Sequence, residues 1–252
     1  MIAITREVSA GFAACELSFV ARSPIDVARA RVQHHAYEDA LRALGCVVES
    51  MVQQPGLADS VFVEDTAIVF DELAVMTRPG AQSRRAEVTS VAEALGRHRP
   101  LCWMQAPGTL DGGDVLRIGH VIHVGASARS NAEGAEQLRG FVAEHGYSVR
   151  RVPMHDCLHL KSAVTALDDE TVLLQPRWVD RGQFADYRII EVDDTEEHAA
   201  NVLRVDDGLL MPDNFPRTRQ RLLDAGYRVG TVDVSELQKA EGAVTCCSLL
   251  LA

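Results

Sequence analysis

The sequence predicts an α/β fold built from repeated ββαβ-like units. Three observations carry that prediction: a hairpin pattern that recurs four times, helical periodicity after several of the hairpins, and apolar segments at the two ends that can supply a fifth unit.

The first hairpin reads "VEDTAIVFDELAVMTRPG" (63–80): a polar cluster, a short apolar strand, the turn Asp71-Glu72, a second strand and Pro-Gly. The order recurs in "LDGGDVLRIGHVIHVGAS" (110–127), which turns at Ile118-Gly119-His120, and in "HLKSAVTALDDETVLLQP" (159–176), which turns at Asp168-Asp169. It returns in "AANVLRVDDGLLMPDN" (199–214), around Asp206-Asp207-Gly208. Hairpins spaced by roughly 40 to 50 residues imply a radial or stacked repeat. The segments 84–98, 131–146 and 217–226 place apolar residues three and four apart, as helices packed on one face do, and each ends near Gly or His. Further strands follow in "YSVRRVP" and "YRVGTVDV".

A fifth unit can be assembled from "IAITREVS", the helix of 26–45 and "CCSLLLA". Pairing the two end strands would shut a ring and remove exposed sheet edges. Residues 1–252 are expected to form one catalytic domain, a length sufficient for a sizeable core.

The formal charge of −11 disfavours nucleic acid and anionic lipid and favours cationic ligands. No apolar run approaches the roughly 20 residues of a membrane span, and no leader pattern precedes residue 20, so a cytoplasmic protein is expected. Six cysteines show no C-x-x-C spacing, which reads as reduced thiols rather than a zinc or redox site.

Unusual polar residues open the first strand of the units: Glu64-Asp65, Asp111 with Asp114, His159 with Lys161, and Thr245-Cys246 at the C-terminal strand of the unit closed from both ends. Taken singly, a cysteine before an apolar run is core filler in about four cases of five. "DGGD" alone is a common turn and His159 a common strand histidine. Glu64 and Asp65 stand inside an apolar run, where unpaired carboxylates are costly. In a ring, equivalent strand ends converge on the axis, so a thiol, an imidazole and carboxylates are expected to meet there.

At these residues the chain resembles the dimethylarginine dimethylaminohydrolase family, of the guanidine-modifying superfamily that includes arginine deiminases and amidinotransferases. The blocks "FVEDTA", "TRPGAQSRRAEV", "LDGGDVL", "LHLKSAVTAL", "LLMPDNFP" and "GAVTCCSLL" follow the family's order over essentially the whole chain. The resemblance implies a five-fold pseudo-symmetric α/β propeller, the pentein fold. It implies Cys246 as nucleophile in T-C-x-S, His159 as acid and base, and Asp111 as the acid that orients it. It implies guanidinium recognition by Phe62, Glu64 and Asp65 with Asp59 nearby. Arg84 and Arg129 would grip the substrate carboxylate, Leu17 would serve as a lid residue, and Glu241 would meet the α-ammonium. Cys247 is expected to face away from the axis by strand alternation.

The implied chemistry is hydrolysis of methylated arginine, a small cationic substrate, to citrulline and methylamine or dimethylamine through a covalent thiouronium. It requires no cofactor and no metal, although zinc could bind Cys246 and His159 adventitiously and inhibit. A monomer or homodimer is expected. The alternatives are an arginine deiminase or amidinotransferase of the same superfamily, and a non-catalytic propeller that only binds. A redox role for the vicinal Cys246-Cys247 pair is disfavoured, because adjacent cysteines form only a strained disulfide.

Overall fold

The computed structural model describes residues 1–252. Five three-stranded sheets follow one another, and each repeats one rule: the first strand runs antiparallel to the second, which is parallel to the third. The unit closed from both ends joins β1 (Ile2–Arg6) to β2 (Val47–Met51) in parallel and to β15 (Leu249–Leu251) antiparallel, with Ile2 opposite Leu251 and Ile4 opposite Leu249. The second unit holds β3 (Ala67–Val69), β4 (Ala74–Met76) and β5 (Leu101–Trp103). The third holds β6 (Val115–Ile118), β7 (Val121–Gly125) and β8 (Ser148–Val152). The fourth holds β9 (Val164–Ala166), β10 (Thr171–Leu174) and β11 (Arg188–Glu191), and the fifth holds β12 (Leu203–Val205), β13 (Gly208–Pro212) and β14 (Arg228–Val232).

Helices α1 (Val27–Ala43), α2 (Val88–Leu95), α3 (Ala132–Val142) and α5 (Pro216–Asp224) carry the chain from second strand to third in four units. Such a crossover is what a parallel pair demands. In the remaining unit a single 3-10 turn, Arg181–Phe184, makes the connection. Local chemistry starts these helices where they start. Asp26 and Asn131 accept the amides of Arg29 and Gly134 at 3.0 and 2.8 Å, and Pro216 opens α5, where a missing N–H is harmless. The helix expected over 84–98 is divided: Gln82–Glu87 is 3-10 and only Val88–Leu95 is α.

Apolar clusters weld neighbouring units together. Ile4, Leu249 and Leu251 of the closing sheet pack with Ala67, Met76 and Leu95 of the next. One cavity is lined from the first strand of every unit, by Leu250, Val69, Arg117, Thr165 and Arg204, and so marks the axis of a five-fold pseudo-symmetric α/β propeller. No helix is long and apolar enough to cross a membrane.

The polar residues read as strand starts lie just before the strands, on single helical turns. These are Val63–Thr66, Gly112–Asp114, α4 (Leu160–Ala163) with His159 as its cap, and the turn around Thr245 to Cys247. One turn of helix aims side chains along the axis, whereas a strand would have alternated them between faces. Cys247 is fully buried in the cluster that includes Tyr37, Leu41 and Val244, but turn geometry rather than strand alternation puts it there.

If ring closure holds the fold together, Leu249→Ala, at a site 4% exposed, should lower unfolding free energy by about 2–5 kcal/mol in a denaturant titration. A loss below about 1 kcal/mol, the level of an ordinary substitution, would show that the β1–β15 seam contributes little.

Candidate active site

The turn that presents Cys246 is tied down on three sides. Tyr37 Oη donates to the Val244 carbonyl at 2.8 Å and lies 2.7 Å from Ser248 Oγ. Asn201 accepts the Thr245 amide at 3.1 Å through Oδ1 and reaches Thr245 Oγ1 at 2.9 Å through Nδ2. The Glu64 amide donates to the Cys246 carbonyl at 3.1 Å. Cys246 is half-buried and lines two adjoining cavities.

One of these is a tight polar cleft that also collects Asp59, Phe62, Asp65, Arg84, Arg129 and His159. His159 is 5% exposed; its Nε2 lies 3.1 Å from Asp111 Oδ2 and its Nδ1 lies 3.8 Å from Asp65 Oδ1. Gly113 explains the double glycine of "DGGD": a Cβ there would meet His159 Nδ1 at 2.6 Å and Asp65 Oδ1 at 2.9 Å. Asp114, which the sequence shows but does not rank, accepts the Leu160 amide at 3.0 Å and the Ser130 hydroxyl at 2.5 Å, and so sets the cap that carries His159. Gly242 keeps the opposite wall flat, because a Cβ there would lie 2.1 Å from the Phe62 ring.

Burial disfavours the imidazolium, yet the Asp65 charge, the hydrogen bond to Asp111 and the Asp114 charge outweigh it and raise His159 to about 9. Burial alone would raise Asp65, but His159 and Arg84 pull it down to about 2. Burial lifts Asp114 to about 6. For Cys246, burial and then the charges of Glu64 and Asp65 push the thiol up to about 12. At neutral pH the resting cleft therefore pairs a charged imidazole with a neutral thiol, and no hydrogen bond joins the two. Atoms of Asp65, Asp111 and His159 lie within 4.8 Å of one another, as in a metal site. Arg84, the Gly113 amide and the imidazolium already occupy those carboxylates, so the cluster is balanced internally.

Other expected site residues stand differently. Arg84 reaches the cleft, but Asp65, Glu87 and the carbonyls of Asp59 and Phe62 hold its guanidinium, leaving one Nη1 hydrogen without a protein acceptor. It is a fixed cation rather than a swinging arm. Arg129 faces the cleft beside Glu16, at 3.7 Å, and Ser18 Oγ, at 3.2 Å. Asp59 accepts the Glu16 amide at 3.2 Å.

Three of the expected residues make other contacts. Glu64 does not line the cleft. Lys161 Nζ lies 2.7 Å from its Oε1 and Thr245 Oγ1 2.9 Å from its Oε2, so its carboxylate closes the axial cavity on the far side. A buried carboxylate takes the nearest cation available, and here that cation comes from α4. Leu17 packs its side chain on the apolar cluster of α1, while its loop neighbours Glu16, Phe19 and Val20 line the cavities. Glu241, at φ 61°, turns its carboxylate onto that loop and accepts the amides of Ser18 at 2.9 Å, Phe19, and Val20 at 2.8 Å. Its carboxylate is a latch, already occupied. Sequence reading missed Tyr37, Asn201 and Glu87, because each acts across more than 40 residues or inside an ordinary helix pattern.

Comparison with known proteins is consistent over the whole chain. The family model described as Arginine deiminase matches residues 48–201. The N(G),N(G)-dimethylarginine dimethylaminohydrolase of Streptomyces coelicolor is 42% identical over 251 residues, covering 99% of this chain and 96% of that one. The Pseudomonas aeruginosa protein of the same name is 38% identical over 226 residues, 89% of each. A structure of the Pseudomonas aeruginosa protein, with a cysteine replaced by serine and citrulline bound, superposes with a TM-score of 0.94 at 36% identity, over 98% of this chain and 97% of that one. The product-bound N-terminal domain of a cyanobacterial arginine dihydrolase matches with a TM-score of 0.86 at 18% identity, a likeness of fold.

Two outcomes test this geometry. In Glu241→Ala, the amides of Ser18, Phe19 and Val20 should exchange with solvent at least about tenfold faster, with Glu241→Gln intermediate; unchanged protection would remove Glu241 as the latch. The folded His159 is raised to about 9 above its unfolded reference of about 6.5. Its protonation therefore stabilises the fold fully below about pH 6.5 and ceases to do so as pH rises through about 9, by an amount on the order of 3 kcal/mol. Denaturation of the wild type and His159→Gln between pH 6 and 10 should show a stability gap that narrows as pH rises, and a constant gap would contradict it.

Proposed function

The chain belongs to the dimethylarginine dimethylaminohydrolase family, and we propose that it hydrolyses Nω-methylated arginine to citrulline and methylamine or dimethylamine. The observation that carries the reading is the convergence of a thiol, an imidazole, four carboxylates and two guanidinium groups on one cleft. The charges there suit an amino acid whose side chain is a cation: Asp59 and Asp65 for the positive groups, Arg129 for the carboxylate.

A guanidinium carbon is a poor electrophile, so the reaction needs a flat, fixed cation and a strong nucleophile on one face. Cys246 is a neutral thiol when the cleft is empty, because burial and then the charges of Glu64 and Asp65 disfavour a thiolate. Entry of the substrate cation reverses that field, and the thiol loses its proton to solvent. The thiolate attacks the guanidinium carbon and forms the C–S bond. His159, charged at neutral pH, passes its proton to the methylated nitrogen as that C–N bond breaks, which leaves a thiouronium on Cys246. Neutral His159 then accepts a proton from water as the hydroxyl oxygen adds to the carbon. The C–S bond breaks and citrulline departs. A cation and a water enter, citrulline and an ammonium leave, and thiol and imidazolium are restored. Asp111 holds the imidazole through its hydrogen bond and favours the charged form, the supporting part of a nucleophile–base–acid triad.

Free arginine passing through the same steps would release ammonia. The matching family model carries the name of that reaction, so arginine is the control substrate.

Assays with monomethyl- and asymmetric dimethylarginine should yield citrulline at rates well above those from arginine, and faster ammonia release from arginine would replace this reading. Cys246→Ser should abolish turnover, by at least about a thousandfold, while Cys247→Ser keeps substantial activity; the reverse pattern would reassign the nucleophile. Alkylation of Cys246 by iodoacetamide in the empty enzyme should still be rising at pH 10, and a plateau below pH 8 would contradict a thiol held neutral by its neighbours.

A further inference from the structure

Cys246 also lines a second, larger cavity beside the polar cleft. It holds about 240 Å³ and meets the polar cleft at Leu158, Glu241, Gly242 and Cys246. Its character differs from that of the cleft. Trp178 and Phe215, both buried, form its wall with Cys157, and the His198 ring lies tilted against Trp178 with centroids 5.1 Å apart. Phe19, on the loop latched by Glu241, is 54% exposed and stands at the cavity's edge. An exposed aromatic held on a fixed loop beside a reactive sulphur has a use if something apolar passes beneath it.

The cleft's charges determine how a guanidino amino acid lies. The nitrogen that leaves must lie within reach of His159 in the polar cleft, and the second cavity adjoins that cleft at Leu158, the residue before His159, and at Cys246. Two methyl groups fill little of 240 Å³. A cavity of about 150 Å³ with apolar walls accepts benzene, and so this one has room for a ring or a branched alkyl group.

We propose that the aromatic cavity between Phe19, Trp178 and Phe215 is a subsite for a large apolar substituent on the leaving nitrogen, so that the chain cleaves Nω-alkyl- and Nω-arylalkyl-arginines bulkier than the methylated forms. The inference rests on the reaction proposed above and names the substrate class that its site accepts. The step is the same: the C–N bond to the substituted nitrogen breaks, His159 supplies its proton, and a primary amine such as benzylamine leaves beside citrulline.

The test compares Nω-benzyl-L-arginine with Nω-monomethyl-L-arginine. Wild-type kcat/KM for the benzyl compound should lie within tenfold of the methyl value or exceed it. Ser162, whose side chain borders the cavity, is replaced by leucine to fill it, with Ser162→Val as the milder form. The benzyl-to-methyl ratio should fall at least tenfold in Ser162→Leu and less in Ser162→Val; an unchanged ratio in both overturns the proposal. Calorimetric binding of the benzyl compound to Cys246→Ser separates the two readings. If the methyl compound is hydrolysed while the benzyl compound neither binds nor reacts, the subsite is refuted and the proposed reaction stands. If the benzyl compound binds but no methylated arginine is hydrolysed, the reaction falls and the subsite stands.

Discussion

The antiparallel pairing of β1 with β15 is the constraint on which the site depends. It joins the two ends of the chain in register, Ile4 against Leu249, and seats Cys246 three positions before the seam. Without that pairing the thiol would sit on a free tail, and no local preference of "GAVTCCSLLLA" would bring it to His159. Closure also puts the Cys246 turn against the Val63–Thr66 turn, where the Glu64 amide meets the Cys246 carbonyl. A backbone bond between the second unit and the one closed from both ends thus supports the Cys246 turn. Long-range pairing of this kind is entropically costly to form, and the apolar cluster shared by Leu249, Leu251, Ile4 and Met76 offsets it.

Inside the ring, the buried charges are compensated by one another. Glu64 is neutralised by Lys161 and Asp65 by Arg84, while Asp111 and Asp114 hold His159 from two directions. Removing one member of such a network leaves an uncompensated buried charge, more damaging than never having had the pair. The network also decides protonation. At neutral pH the imidazole is held charged and the thiol neutral.

The two cavities on either side of Cys246 divide the work of recognition. The polar cleft reads charge and direction; the aromatic one reads bulk. Glu241 stands where they meet and pins the loop that roofs both, which links loop position to the shape of each.

Repetition was legible in the sequence because period-two apolar runs and turn residues are local signals. The four hairpins, the helices after them and the split fifth unit all correspond to observed elements. The motif residues were legible as well, since "DGGD", "LHLKS" and "TCCS" place rare polar types against apolar runs, and the fold assembles Asp111, His159 and Cys246 around one axis. Partner choice was not legible. Nothing local says that Glu64 turns away to Lys161, that Glu241 spends its carboxylate on the backbone of Ser18 to Val20, that Arg84 is gripped by Glu87, or that Tyr37 braces the Cys246 turn. A side chain's type is written in the sequence, but its orientation follows from which neighbours the folded chain delivers within hydrogen-bond reach. For buried charges, the energy of that choice exceeds any local preference.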